Sequence, residues 1–443
     1  MNANSLSAIP PEIGHMTALT HLSAGSNNIA SLPPEIGNLK NLTSLMLFYT
    51  QLQTLPNEFC ALFSLKTLHL GANEITRLPD AFGDLTSLEA LCLNDNQLEA
   101  LPSSIGKLHQ LRARPTTNGK LRVFSLATSV RDEFPPGFWT LTQLQTLDLA
   151  TAHIDHLPDE IGQLRGLTSL DLEPNDLQSL PDSLCCLTDL KRLALAHNLL
   201  TELPSEIGKL SNLTFLSVDN NRLLSLPASV ANLHKLKALC LAANDGLGPS
   251  LANLGLPSCA DQPQQQPPPP TQQRQLFPEL CVLSLERTGL ASLPPFVCQV
   301  ASLTALSLGL QRLKTLDLGS NLFAGVLPTA VLGLAQLIEL SVDHNALSEL
   351  PDELGSRLSR LRSVNLSGNH FGEVPRQIMD MPALERVDLS ANFIVGIDDD
   401  AREALLRMPL LRELDVSENP VAEQPLPAAL QDLLTTTRQD QDP

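Results

Sequence analysis

Positive charge is scarce in this chain: 29 lysines and arginines face 48 aspartates and glutamates, leaving a formal net charge of −19. A nucleic acid or an anionic lipid surface would call for a basic stripe, so no nucleic-acid partner is expected. Aromatic residues are rarer still, at 3% of the chain with one tryptophan and one tyrosine. An aromatic side chain at an outward position therefore stands out as a candidate interface anchor. No run of 18 or more apolar residues occurs, and residues 1–18 lack a basic region followed by an apolar one. Neither a membrane span nor a secretion signal is expected. The eight cysteines (Cys60, Cys92, Cys185, Cys186, Cys240, Cys259, Cys281 and Cys298) are scattered through the chain. That distribution fits a reducing, cytoplasmic compartment.

Catalytic signatures are missing as well. The sequence has no GxxxxGK[ST], GxSxG, HExxH or CxxC motif and no kinase signature set, so no enzyme activity, cofactor or catalytic residue is expected. His153 and His156 lie two residues apart without a third ligand nearby, and they read as exposed loop histidines rather than a metal site. Cys185-Cys186 reads as a small apolar filler on a return turn.

What the chain has in abundance is leucine at a fixed period. Leu19, Leu42, Leu65, Leu88 and Leu111 follow one another at 23-residue intervals. The phrase they mark is LxxLxLxxN, as in Leu65, Leu68, Leu70 and Asn73, with Asn27, Thr50 and Asn96 at the last position of the frames at Leu19, Leu42 and Leu88, whereas Leu111 fails to start a clean repeat. Leucine alternation predicts a short strand with one face buried. The asparagine amide can bond the backbone of its own and the adjacent turn, because it carries both donors and an acceptor. The return half, Leu78-Pro79 to Leu85, predicts a helical turn begun by proline and stopped by a left-handed Gly83. The phrase is that of a leucine-rich repeat. The expected fold class is therefore α/β: a leucine-rich repeat solenoid, a curved horseshoe with a parallel β-sheet on its concave face and short helices or turns on its convex face.

Taken in order, residues 1–18 form the second half of a repeat, read either as an irregular cap on the first strand or as the sign of a fragment. Repeats fill 19–256, with RARPTTNGK (112–120) as an insertion before a frame at Leu121. Residues 257–275, including QPQQQPPPPTQQ, form a polar low-complexity segment expected to leave the solenoid as a loop. Repeats resume over 276–420, although Leu303 and Leu313 are too close for a full turn, and 421–443 supply a cap and tail in which 427–434 reads as a short amphipathic helix.

Outward strand positions carry the candidate binding residues, since alternate side chains point away from the core. Phe48, Tyr49, His69 and Phe215 project there. Asp148, Asp171, Glu173 and Asp219 form a central acidic strip, and Asp317, Asp343, Asp388 and Asp415 form a second. The expected partner is a protein with a basic surface; the competing role for these aspartates is solvation of the face.

LPPEIGNL (32–39), LPDEIGQL (157–164) and LPSEIGKL (203–210) are similar to the return phrase of the intracellular Ras-group leucine-rich repeat proteins, including the plant Ras-group-related and the Erbin and Scribble repeat regions. The resemblance implies a cytoplasmic, non-enzymatic scaffold for protein–protein interaction in signal transduction, with a small GTPase or a phosphatase as partner. Two alternatives stay open: the recognition region of a larger signalling enzyme or receptor, and an innate-immune-type ligand sensor. NLFAGVLP (321–328) resembles instead the plant receptor style of repeat.

Overall fold

The computed structural model describes residues 1–111, 124–125, 134–251, 254, 276–298, 310 and 312–423. It divides into two compact units, Met1–Leu216 and Ser217–Pro443. The low-complexity segment 257–275, the insertion 112–120, the frame at Leu303 and the helix expected over 427–434 lie outside the described residues.

In unit 1 the strands follow chain order in a parallel sheet: β1 (His21–Ser23), β2 (Ser44–Met46), β3 (Thr67–His69), β4 (Ala90–Cys92), β5 (Phe124–Ser125), β6 (Thr146–Asp148), β7 (Ser169–Asp171) and β8 (Arg192–Ala194). Strand β9 (Phe215–Ser217) spans the division between the units. Central leucines stay in register, Leu22 with Leu45, Leu45 with Leu68 and Leu68 with Leu91. The frame at Leu121 supplies β5, which pairs with both β4 and β6.

Unit 2 contains β10 (Ala238–Cys240), β11 (Val282–Ser284), β12 (Thr315–Asp317), β13 (Ala324–Val326), β14 (Glu339–Ser341), β15 (Ala346–Glu349), β16 (Ser363–Asn365), β17 (Arg386–Asp388) and β18 (Glu413–Asp415). Its main sheet runs β10-β11-β12-β14-β16-β17-β18, while β13 and β15 form a separate parallel pair. Strand β13 falls on NLFAGVLP, where the sequence departs from the style of the other repeats. Strand β11 pairs directly with β12, Leu283 opposite Leu316.

Inward leucines close the core: Leu65, Leu68, Leu70 and Leu170 are fully buried, each stabilising its turn by about 1.5–3 kcal/mol. A polar ladder runs beside it, with Thr50, Ala152 and Thr288 standing where other described turns carry asparagine. Asn73 donates through Nδ2 to Leu47 O at 2.7 Å and Leu70 O at 2.9 Å, and its Oδ1 accepts from Leu52 N at 3.1 Å. Neighbouring repeats repeat this scheme at Asn96, Asn175, Asn198 and Asn369. At the first turn the same role falls to the opening residues: Asn27 Nδ2 donates to Met1 O at 2.9 Å and Leu6 N donates to Asn27 Oδ1 at 3.1 Å.

Returns are mostly single 3-10 turns such as Pro34–Asn38 and Asp159–Gln163. Gly83 corrects the sequence expectation. It lies inside the turn Phe82–Asp84, where a Cβ would come 1.8 Å from the Ser104 carbonyl oxygen. Glycine is selected there for close approach of stacked turns. The left-handed conformation falls instead on the residue just before the ladder asparagine, including Ser26, Ala72, Asp95 and His197, and on Tyr49 before Thr50. Unit 2 also holds a nine-residue helix, Asp399–Arg407, capped by Asp398, whose side chain accepts from Ala401 N at 2.6 Å. The segment DDDAREALL carries its cap and acidic first turn.

Candidate protein-binding face

The sheet face is built from the outward residues flanking the third leucine of each phrase, so backbone register lines equivalent side chains into columns about 5 Å apart. Aspartate in the central column has a local task that pattern reading missed. Oδ1 of Asp171, Asp317, Asp388 and Asp415 accepts from the backbone N–H two residues on, at 3.2, 3.0, 2.9 and 2.8 Å respectively. Such a bond satisfies a donor where the chain leaves the strand. Their carboxylates thus stabilise the turn as well as charging the face.

The expected residues are not equally accessible. Asp148, in register with Ser125 and Asp171, is 2% exposed and accepts from Ala150 N at 3.2 Å. Asp171 and Glu173 are half-buried. Phe215 lies beneath Arg192, whose guanidinium carbon is 3.9 Å from the ring centroid. This cation belongs to the neighbouring strand, and the sequence pattern of acidic columns gave no sign of the pairing. In unit 2, Asp219 accepts from Ala242 N at 2.7 Å and from the Ser217 hydroxyl at 3.1 Å. Asp343 accepts from the Ser341 hydroxyl and contacts His344 Nδ1 at 2.9 Å.

In unit 2 burial and other acids act together on Asp317. Burial first, and then the negative charges of Glu286, Asp343 and Asp219, push its pKa up to about 6, against the lowering effect of the Gly319 N–H. Glu286 was absent from the sequence-based set although the frame at Leu280 places it outward. In unit 1 the corresponding column holds His69, its ring stacked on Phe48 at 5.0 Å between centroids. Burial lowers the His69 pKa below the ordinary imidazole value. Tyr49 meets Phe48 edge-on at 6.2 Å and is 68% exposed.

No group of three or more His, Cys, Asp or Glu side chains among the described residues is placed to hold a metal ion. His153 and His156 are exposed and face Asp176 at 3.6 Å and Asp155 at 2.6 Å. Cys185 is buried, and its thiol is pushed up to about 11, chiefly by burial, the opposite of what a nucleophile needs. No helix among the described residues is long and apolar enough to cross a membrane.

Comparison with known proteins agrees with this geometry. Family models described as leucine-rich repeat region and leucine rich repeat match residues 4–117, and 142–200 and 311–371, respectively. A leucine-rich repeat protein of Leptospira interrogans superposes with a TM-score of 0.77 at 30% identity, over 94% of this chain and 94% of that one. The chain belongs to the leucine-rich repeat family. The ectodomain of the plant membrane receptor kinase GASSHO1/SCHENGEN3 from Arabidopsis thaliana, solved in complex with CASPARIAN STRIP INTEGRITY FACTOR 2, superposes with a TM-score of 0.59 at 27% identity, over 96% of this chain and 53% of that one. Leucine-rich repeat and WD repeat-containing protein 1 of Xenopus tropicalis is 32% identical over 121 residues, covering 27% of this chain and 16% of that protein. The match thus spans about a sixth of that relative's length. Leucine-rich repeats generally serve as extended surfaces for protein–protein interaction rather than as catalysts.

Proposed function

We propose that this chain is a non-enzymatic protein-interaction scaffold of intracellular signal transduction, working in the cytoplasm and holding a protein partner with a basic surface against its sheet face. The observation that carries this reading is the alignment of acids on the sheet face of unit 2, where Asp388 on β17 stands directly opposite Asp415 on β18 and Asp317 holds the same position on β12. Like charges held together cost stability, and a cationic partner would recover that cost while speeding encounter. Scattering the same charges over the return turns would keep the chain in solution without such a penalty. The LPxxIGxL phrase favours the Ras-group class, which makes a small GTPase or a phosphatase the first partner class to test.

A second reading, the ligand-recognition region of a receptor, is favoured by the separate β13–β15 pair and by the likeness to a plant receptor ectodomain solved with a named factor. A partner isolated by affinity purification separates the two by its own identity. Charge reversal then tests the face: Asp171→Lys with Glu173→Lys in unit 1, and separately Asp388→Lys with Asp415→Lys in unit 2, against Asp159→Lys with Glu206→Lys on the exposed return turns. The sheet-face pairs should weaken binding at least about tenfold, with a strong salt dependence in the unmutated chain. Equal binding by all three double variants would return the aspartates to their turn-stabilising role.

A further inference from the structure

Exposed or half-exposed aromatic rings in unit 1 differ in what covers them. Lys40 Nζ stands 5.2 Å from the Phe63 centroid, and the Arg192 guanidinium stands 3.9 Å from that of Phe215. Tyr49, the single tyrosine of the chain and 68% exposed, carries no cation among the described residues. Its backbone adopts φ +51°, a left-handed conformation that bulky side chains adopt at a cost. Equivalent positions in unit 1 hold small or polar residues such as Ser26, Ala72 and Asp95. An aromatic side chain here is therefore not what the turn itself favours.

The surroundings of Tyr49 are shaped for a ring platform. Phe48 lies across Gly25, where a Cβ would come 2.9 Å from the ring, and stacks on His69 from the other side with 30° between the planes. His69 Nε2 reaches over Gly71, within 3.1 Å of where a Cβ would sit. Tyr49 N donates to the carbonyl of that same Gly71 at 3.0 Å. Among the described residues neither nitrogen of His69 has a hydrogen-bond partner, so a neutral imidazole presents an unused acceptor beside the Phe48 ring. Cation–π attraction, a planar donor and a nitrogen acceptor are the complement of a guanidinium.

We propose that Tyr49, set edge-on against the Phe48–His69 stack, receives one arginine side chain of the protein partner, its guanidinium lying on the exposed Tyr49 ring and donating a hydrogen bond to the His69 imidazole. This rests on the reading of the sheet face as a protein-binding surface and names the group recognised at one place on it. Arginine fits better than lysine because its planar fork stacks and donates together, whereas an ammonium is a strongly hydrated point. Protonation of His69 sets a cation against a cation, so binding weakens as pH falls through the His69 pKa, which burial holds below the ordinary imidazole value. His69 is paired in register with Met46 on β2 and Cys92 on β4, Phe48 stacks on its ring, Asn94 Oδ1 shares with it the space over Gly71, and the charged groups opening the same strands, Lys66 and Glu89, pair with each other at 3.2 Å.

A single tyrosine makes the test direct. In full-length chain labelled at tyrosine, the one side-chain NMR resonance is followed while adding acetyl-Gly-Arg-Gly-amide, its citrulline counterpart or its lysine counterpart. The arginine peptide should shift the resonance saturably at pH 7.5, with the citrulline and lysine peptides at least about threefold weaker. His69→Phe retains a ring but not the acceptor. That variant should bind the arginine peptide about threefold less well and lose the weakening seen in the wild type between pH 7.5 and pH 5.5. A silent tyrosine resonance, equal shifts from arginine and citrulline or from arginine and lysine, or a pH dependence that survives His69→Phe would each overturn the proposal. If the arginine peptide is silent while reversal of Asp171 and Glu173 still weakens the partner, the platform proposal alone fails. If the peptide binds but no sheet-face reversal matters, the acidic reading fails instead.

Discussion

His69 in unit 1 and Asp317 in unit 2 occupy the same position of the repeat, outward between the two strand leucines, and burial drives each towards its uncharged form. For the imidazole this lowers the pKa, and for the carboxylate it raises it to about 6. Their neighbours separate them. Rings and glycines surround His69, whereas Asp317 faces Glu286, Asp343 and Asp219. An identical backbone position thus yields an aromatic platform in one unit and a strained acidic cluster in the other. The frame sets how far a side chain is buried, and the columns on either side decide what that burial means.

If the frame is shared and the faces are not, changes to the frame should cost most. Leu170→Asp places a carboxylate at a fully buried position and should destabilise unit 1 by about 4 kcal/mol or more, read as a large drop in thermal midpoint. An unchanged midpoint would remove Leu170 from the inward column. Asn73→Ala strips Leu47 O, Leu70 O and Leu52 N of their side-chain partner. A loss of about 2–4 kcal/mol is expected, with faster amide exchange at Leu52; Thr50 would be the neighbour most affected, since its hydroxyl bonds Asn73 Oδ1.

Glycines sharpen the contrast between tight and open parts of the molecule. Gly83→Ala in unit 1 drives a methyl into the Ser104 carbonyl at 1.8 Å, and neither backbone can yield cheaply, so about 1–3 kcal/mol should be lost. Gly372→Ala in unit 2 meets nothing within 4 Å and should leave stability unchanged or raise it by about 0.5 kcal/mol. Equal effects in chemical denaturation would contradict the close stacking of the unit 1 returns.

The smallest effect concerns Asp317 itself and has a definite sign. Its folded pKa, about 6, lies above the ordinary 3.8, so ionisation opposes folding: the penalty is absent below about pH 4, grows between about pH 4 and 6, and levels off above. Asp317→Asn keeps an acceptor for the Gly319 N–H and should stabilise unit 2 by about 1–2 kcal/mol at pH 7, after allowance for solvent screening. At pH 4 the two forms should be nearly equal. A difference that does not vary with pH would show that burial and the neighbouring carboxylates together do not raise its pKa in the folded chain.

Much of this was legible in the leucine phrase. Strand positions, parallel order, the asparagine ladder and the frame at Leu121 follow from a period of 23 residues and from the need to bury one face and satisfy the backbone. Those are local demands, repeated at every turn. Gly83 was misread because the sequence cannot show how near the next turn comes, and a glycine chosen for closeness looks the same as one chosen for a left-handed stop. The left-handed residues before the asparagines carry no common side chain, so Tyr49 in that conformation had no signature. Outward side chains were assigned to the sheet face, but their exposure was not readable. Asp148 is buried, Phe215 is covered by Arg192, and Asp317 is ringed by acids, since each outcome depends on residues 23 or more positions away brought alongside by stacking. The sequence by itself determined the repeat and its inward chemistry, because those interactions recur within the phrase; only the tertiary structure decided which outward groups pair, stack or repel, because those interactions arise between phrases.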